Sequence, residues 1–193
     1  DAREKTLGYG EYVDDMEVEG LLHASAVRSK YPRARVLSID TEKAKAVPGI
    51  VDIFTAADIP GDVKVGHLVQ DWDTMIPVGS ITHYLGDAIA LVVGENLDVV
   101  EKAKKLVKVE YEELPFVSSP YEAMKEDAPQ VHGSGNLLAH KHVSRGNAKE
   151  AIANAKYVYT EEFHTPWTEH AFLEPECAIA MPYEDGVLIY STD

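Results

Sequence analysis

The stretch TPWTEHAFLEPE, residues 165–176, gathers histidine and glutamate between two prolines. His170 and Glu174 stand four residues apart, so a helix would place both side chains on one face, where they could share a zinc ion. Pro166 and Pro175 limit such a helix to about two turns, because proline lacks a backbone donor and disfavours a helical residue before it. The spacing therefore suggests a metal site as a hypothesis, but the prolines argue against the helix that this site would need.

A metal-dependent hydrolase is the enzyme that this cluster would serve. Its candidate ligands are His164, Glu169, His170 and Glu174. A histidine and glutamate count is a weak signal without an HExxH-type helix, and the same side chains suit a structural corner that hydrogen-bonds backbone. His140 and His142 would share one face of a strand, but no third ligand lies near them in sequence. We therefore assign no metal-binding residue from the sequence.

Motifs for other chemistries do not occur. The sequence has no GxSxG, CxxC, GxGxxG or GxxxxGK pattern, which argues against a nucleophile elbow and against Rossmann or P-loop nucleotide sites. Its one cysteine, Cys177, lies in the apolar run CAIAM, where burial would raise the thiol pKa and lower its reactivity. We assign no catalytic and no cofactor-binding residue.

Composition limits the partners and the compartment. The 193 residues carry 18 basic and 33 acidic side chains and a formal charge of −15, which disfavours nucleic acid and anionic membrane surfaces. No apolar run approaches the roughly 20 residues of a membrane span. The lone cysteine cannot form an internal disulfide and indicates a reducing compartment, the cytoplasm. The chain starts with Asp and stops on an apparent strand, which is typical of a piece of a longer protein.

The first half of the chain predicts two strand–helix–strand units. In the first, strands LLHASAVRS and RVLSID precede the short helix TEKAKAV, which Asp40 can cap, and the strand IVDIF follows. Residues 61–83 form a long irregular loop that ends in a short strand. In the second unit, strand IALVVGE precedes a helix that Asn96 caps, and strand VKVEYEEL follows. The apolar stripe of that helix is Leu97, Val100, Ala103 and Val107.

Composition changes at residues 126–147, where Pro, Gly, His and Asn occur without period, so we place a domain boundary there. We assign residues 1–130 to a first domain and residues 131–193 to a linker and the start of a second. Asn147 and Glu150 resemble a capping box for the helix AKEAIANA. Strand YVYTEEF follows, and strands PECAIAMP and VLIYS flank a tight turn, YEDG, in which Gly186 can take a positive φ.

Ordered phrases along the chain carry a family resemblance. The run from YVDDMEVEG through VDIFTAADIP, then HYLGDAIALVVGE and VEYEELP, resembles the opening of the large subunit of the xanthine dehydrogenase and aldehyde oxidase family. SRGNAKEAIANAKYVYTEEFHTPWTEHAFLEPECAIA resembles the entry into that family's molybdopterin-binding domain. The sequence departs at Asp87 and Asn147, where relatives carry Gln and Asp, and Trp167 stands close to a common Gln.

The resemblance implies a fold and a function. The fold is α+β: an α/β hammerhead with two strand–helix–strand units, followed by a short strand-rich segment of a second domain. The parent enzyme would hydroxylate a purine, aldehyde or related heterocycle with oxygen from water. It would hold molybdopterin, with iron–sulfur clusters and FAD on partner domains or subunits. The family's glycine-rich cofactor loop and its base glutamate lie beyond the resembling phrases, so this piece alone is expected to be inactive.

Two alternatives stay open at this point. One is the self-contained metal-dependent hydrolase, and the other is a cofactor-free interaction module whose loop at 61–83 binds a partner chain. Under the family reading, the partner is the rest of the large subunit. The strands at 174–191 would then keep an open edge, through which the piece is expected to self-associate.

Overall fold

The structure is a computed structural model that describes residues 2–192. They divide into two compact units. Residues 21–141 form the larger unit, and residues 2–20 together with 142–192 form the smaller one. None of the helices formed by the described residues has the length and apolar character needed to cross a membrane.

The larger unit contains short strands and helices in alternation. In chain order these are β1 (His23–Arg28), β2 (Ala34–Asp40), α2 (Glu42–Lys45), β3 (Ile50–Thr55), β4 (Lys64–Val65), β5 (Trp72–Asp73), β6 (Ala88–Gly94), α3 (Leu97–Lys104), β7 (Lys108–Glu113) and α4 (Pro120–Ala123). A 3₁₀ turn, Ala56–Asp58, follows β3. Helix α1 (Ala2–Leu7) precedes them in the chain and belongs to the smaller unit.

Both predicted strand–helix–strand units are present, β2–α2–β3 and β6–α3–β7. Their strands pair between the units and not within them. Strand β6 lies between β1 and β3 in one sheet, and β2 pairs with β7 in a second sheet, with every pair antiparallel. The two strand–helix–strand units therefore interlock, and neither sheet can form from one of them alone. The α+β class predicted from the sequence is confirmed.

A first apolar cluster lies where α2 and α3 pack on the three-stranded sheet. Its buried members are Ala44, Ile53, Ala90, Val92, Val100 and Ala103. Val100 and Ala103 are fully buried, but Leu97 remains 55% exposed, so the apolar stripe predicted for α3 is narrower than expected. Burying a side chain of valine size stabilises a fold by about 1.5–3 kcal/mol, so this cluster holds the helices in place.

A second cluster lies on the opposite face of β6. Ala90 and Val92 belong to the first cluster, whereas Ile89, one residue out of phase, contacts Val36 and Ile76. Successive residues of a strand point to opposite faces, so a strand with an apolar layer on each side has a continuous apolar run as its sequence. The buried strand predicted from IALVVGE is confirmed for this reason.

The residues predicted to cap α2 and α3 both accept a first-turn amide, but the residue predicted for α2 lies one position before the N-cap. Asn96 Oδ1 accepts the Val99 amide at 3.0 Å, as predicted. The N-cap position of α2 is Thr41, and the residue before it, Asp40, supplies the acceptor by taking the Glu42 amide at 3.0 Å. A carboxylate near exposed first-turn amides stabilises the helix start in either position.

The long loop at 61–83 is more ordered than its composition predicts. Strands β4 and β5 form a small hairpin inside it, and Lys64 pairs with the buried carboxylate of Asp73 at 3.3 Å. Ile81, where the final short strand was predicted, makes only an isolated bridge to Arg35.

The smaller unit holds helix α1, a 3₁₀ turn at Val13–Asp15, helix α5 (Ala148–Ala153) and the hairpin of β8 (Ala178–Tyr183) with β9 (Gly186–Ser191). Asn147 Oδ1 accepts the Glu150 amide, which confirms the N-terminal cap of α5. The Glu150 carboxylate takes the Asn147 side-chain amide at 2.8 Å, so the reciprocal bond differs from that of a capping box.

Two predictions in the smaller unit are wrong. Residues 157–163, YVYTEEF, are not a strand, because no neighbouring strand pairs with their alternating pattern. In the turn between β8 and β9, the positive φ of 50° belongs to Glu184 and not to Gly186. Gly186 opens β9 and pairs with Tyr183, which leaves the turn to Glu184 and Asp185.

Candidate functional site

Residues 157–177 contain the candidate cluster and form neither helix nor strand. Nearly all of them are exposed, including large apolar side chains such as Tyr159 at 93% and Leu173 at 88%. Because Pro166 and Pro175 interrupt any helix, the one-face geometry that zinc sharing would need is not formed. The segment is irregular and leaves an unusual amount of apolar surface exposed.

Each of the four candidate ligands contacts a different partner. His164 Nε2 lies 3.2 Å from Glu162 Oε1, and both side chains are exposed. Glu169 Oε1 accepts the backbone N–H of His170 at 2.9 Å. The His170 ring stacks on Phe172, with centroids 5.5 Å apart and planes 9° apart.

The fourth candidate, Glu174, pairs with Lys5 at 3.6 Å, and the Lys5 ammonium also lies 4.5 Å from the centre of the Tyr12 ring. Among residues 2–192, no three side chains of His, Cys, Asp or Glu converge as metal ligands would. The hydrolase hypothesis is therefore not favoured. Glu169 and Glu174 instead bond backbone and a neighbouring cation, which is how a structural corner would use them.

The corner has one strained residue. Ala171, between His170 and Phe172, has a φ of 54°. The left-handed region costs a residue with a Cβ atom about 1–2 kcal/mol, since that atom approaches the following carbonyl. Ala171 therefore turns the chain between the two stacked rings.

Cys177 ends the segment and lies partly buried. Burial, and after it the nearby carboxylate of Asp14, raises the pKa of the thiol above its usual value. Both causes disfavour the thiolate, which is the reactive form. The raised thiol pKa has the direction predicted from the sequence. The contribution of Asp14 could not be predicted, because only the fold brings Asp14 near Cys177.

In the larger unit, a buried carboxylate organises the loop before β6. Asp87 is 2% exposed, and its Oδ2 accepts the backbone N–H groups of His83 at 2.5 Å and Tyr84 at 3.3 Å. Its carbonyl oxygen accepts the Ser29 amide at 2.7 Å. Asp87 thus ties this loop to the end of β1.

Aromatic side chains gather beside this loop. The Trp72 ring lies 5.5 Å from Tyr84 and 6.3 Å from His83, and His83 lies 6.4 Å from His132. A cleft of about 240 Å³ adjoins them, and its lining includes His83, His132 and Phe116. Sequence reasoning missed this grouping because its members are up to 60 residues apart, and the 61–83 loop offered only Trp72 and His83 as a signal.

Comparisons with known proteins match the chain along most of its length. The model of the aldehyde oxidase and xanthine dehydrogenase a/b hammerhead domain matches residues 7–115, and the molybdopterin cofactor-binding domain model matches residues 131–193. The xanthine dehydrogenase molybdenum-binding subunit of Escherichia coli is 33% identical over 196 aligned positions, which cover 96% of this chain. The nicotinate dehydrogenase large molybdopterin subunit of Eubacterium barkeri is 30% identical over 97% of this chain.

Solved structures share the fold. The aldehyde oxidoreductase of Desulfovibrio gigas superposes with a TM-score of 0.84 and 27% identity over 98% of this chain. Quinoline 2-oxidoreductase of Pseudomonas putida 86 gives a TM-score of 0.79 and 26% identity over the same share. The chain spans only part of each relative: 26% of the Escherichia coli subunit, 44% of the Eubacterium subunit, and 22% and 25% of the two solved chains.

Proposed function

Because the chain belongs to the aldehyde oxidase and xanthine dehydrogenase family, we propose that it serves a molybdenum hydroxylase as part of the large subunit. The parent enzyme hydroxylates a purine, an aldehyde or a related heterocycle with oxygen taken from water. Electrons pass to iron–sulfur clusters and FAD on partner domains or subunits. The single cysteine suits a reducing cytoplasm for this enzyme.

Within that enzyme, residues 1–130 are the hammerhead domain, and residues 131–193 are the linker and the start of the molybdopterin-binding domain. The observation that carries the proposal is the succession of the two domain models along one chain. The uncovered aromatic and aliphatic side chains of residues 157–177 support it. They provide the apolar surface that a neighbouring part of a larger subunit would cover.

The residues of the 157–177 segment do not fit a molybdopterin site. Molybdopterin carries a phosphate group, and proteins hold such anions with cationic side chains or with grouped backbone N–H donors. Residues 157–177 contain five glutamates and neither lysine nor arginine. Lys5, which lies beside this segment, is already paired with Glu174. We therefore propose that this chain supports the cofactor domain and that other parts of the subunit hold the cofactor.

A chimeric enzyme tests the proposal. The region of the Escherichia coli molybdenum-binding subunit that matches this chain is replaced by the chain, and the purified enzyme is assayed for bound molybdenum and for xanthine oxidation. We expect both to be retained in measurable amount, because the fold is shared.

The same chimera with Ile89→Asp is the negative control, since a carboxylate in the core beside β6 unfolds the larger unit. A folded chimera that contains no molybdenum, while the unmodified relative contains it, contradicts the proposal. Molybdenum retained without xanthine oxidation would support the scaffold role and contradict the expectation that the activity survives the replacement.

The two alternatives are not favoured. A metal hydrolase would bring His164, Glu169, His170 and Glu174 to one centre, and the structure directs them to separate partners. A cofactor-free interaction module does not account for the two successive domain matches. Elemental analysis of the purified chain for zinc and manganese checks the first alternative directly, with His170→Ala as the matched variant.

A further inference from the structure

An open groove of about 510 Å³ lies in the larger unit between β1, the start of β7 and the C-terminal turn of α3. Its volume is within the range of small-molecule sites, about 300–1,000 Å³. Every residue that lines it belongs to the larger unit, so the groove depends on that fold alone. We call it the basic groove.

Cations dominate the polar lining of the basic groove. Arg28, Lys30, Lys104 and Lys105 face it, against one carboxylate, Glu101. This balance is opposite to that of the chain, whose formal charge is −15. A local positive site on an acidic protein concentrates anions at one place, because the rest of the surface repels them.

Not all of these cations are committed to internal partners. Lys104 is held by Glu101 at 2.7 Å and by Ser25 at 2.8 Å, and Arg28 donates to the Gly86 carbonyl at 3.0 Å. Lys30 is exposed and makes no ion pair with the described residues. Lys105 is also exposed and forms no close ion pair within residues 2–192, although it lies near enough to Glu101 to lower that carboxyl's pKa. Two ammonium groups therefore remain available to a ligand.

The remainder of the groove is apolar and aromatic. Val27, Val107 and Val109 line it and pack against the two core clusters, so their positions are fixed. Tyr31 and Tyr111 meet edge to face, with ring centroids 5.2 Å apart and planes 68° apart. Both rings line the groove, and an edge-to-face pair can be extended by stacking with a third ring.

From this combination we propose that the basic groove binds a small aromatic anion, a ring that bears a phosphate or carboxylate group. The ring lies against the valines and the tyrosine pair, and the anionic group is held by Lys30 and Lys105. A ligand with only the ring or only the anionic group makes only one of these two sets of contacts and is expected to bind more weakly. The site is independent of the activity proposed above, because the chain contains all of its residues.

Phenyl phosphate is the probe, and the ¹⁵N-labelled 193-residue chain is titrated with it by NMR. Inorganic phosphate and phenol are titrated separately, so that the charge and the ring are measured apart. We expect saturable shifts at residues 27–31 and 104–111, with phenyl phosphate binding more tightly than either fragment. Tyr31→Leu is expected to remove the preference for phenyl phosphate over inorganic phosphate.

The double variant Lys30→Ala and Lys105→Ala is expected to weaken phenyl phosphate binding about tenfold, since two partly exposed ion pairs together contribute about 1.4 kcal/mol. The matched control is Lys43→Ala with Lys125→Ala, which removes two exposed lysines elsewhere in the same unit and leaves binding unchanged. Equal binding of inorganic phosphate, shifts scattered outside the groove, or equal losses in both double variants would each overturn the proposal.

Discussion

The Asp87 carboxylate fixes the backbone of His83: Asp87 Oδ2 accepts the His83 amide at 2.5 Å, and the carboxylate is 2% exposed. The same oxygen accepts the Tyr84 amide at 3.3 Å. A single buried side chain thereby satisfies two loop donors that would otherwise lack partners, and it holds His83 beside Trp72 and His132.

Asp87→Ala is the first prediction. Both amides lose their acceptor in a partly buried place, so the free energy of unfolding is expected to fall by about 1–3 kcal/mol. Urea unfolding measures the change. Asp62→Ala, at an exposed aspartate in the same unit, is the control and is expected to change stability by less than about 0.5 kcal/mol. Equal effects of the two variants would show that the carboxylate does not organise the loop.

A second prediction compares two valines on neighbouring strands. Val92 in β6 is fully buried, whereas Val51 in β3 is 55% exposed. Val92→Ala is expected to cost about 2–3 kcal/mol, because it removes two buried methyl groups and leaves a cavity. Val51→Ala lowers the strand propensity by the same amount but removes little buried surface, so it should lower the free energy of unfolding by less than about 1 kcal/mol. If the two variants unfold at the same urea concentration, the assigned core is incorrect.

The third prediction concerns the start of α3. Asn96→Ala removes the acceptor of the Val99 amide and is expected to destabilise the larger unit by about 1 kcal/mol. Asn96→Asp keeps an oxygen acceptor at this position and adds a negative charge near the positive end of the helix, so it should have most of the stability that Asn96→Ala loses. Thermal unfolding of the three proteins gives the comparison, and failure of Asn96→Asp to recover stability would indicate that the cap bond is not the cause.

A fourth prediction concerns the pH dependence of Cys177. Burial and Asp14 raise the pKa of its thiol, so at a given alkaline pH less thiolate is present than in a free cysteine. The iodoacetamide reaction is therefore expected to be slower than that of a free cysteine and to rise at higher pH. Because the chain has one cysteine, the reaction reports this site alone.

Asp14→Asn removes the nearby negative charge and is expected to shift the rate profile toward lower pH, while Asp62→Asn leaves it unchanged. The shift should be smaller than the whole displacement, since burial is the larger cause. A profile that matches free cysteine in the unmodified chain would contradict the assigned environment.

The fifth prediction is self-association of the isolated chain. Within the described residues β9 pairs only with β8, so one edge of this hairpin has no neighbouring strand, and Ile189 of β9 is 61% exposed. Open edges of this kind pair with other chains. Sedimentation velocity is expected to show association that increases with concentration.

Ile189→Lys adds a charge to that edge and is expected to reduce the association. Ile152→Lys adds the same charge to an exposed position of α5, outside any sheet, and should have no effect. A chain that stays monomeric at high concentration would remove the open edge as an interface.

Local sequence patterns predicted most of the larger unit's elements. The continuous apolar run at 89–95 gave a buried strand, and Asn96 marked the start of α3. These features depend on residues near one another in sequence, whose backbone preferences and caps act locally. The family resemblance likewise rested on ordered local phrases, such as VEYEELP.

Pairing and surroundings were decided by tertiary structure. Each strand–helix–strand unit pairs its strands with those of the other unit: β3 with β6, and β2 with β7. In this arrangement the two apolar clusters cover the two faces of β6. Residues 157–163 have a strand-like pattern without a neighbour to pair with, and a strand is stable only when its backbone groups find partners. His170 and Glu174, four apart in sequence, are separated by the turn at Ala171. The sequence by itself thus determined the elements and the family, and the fold alone decided which side chains meet.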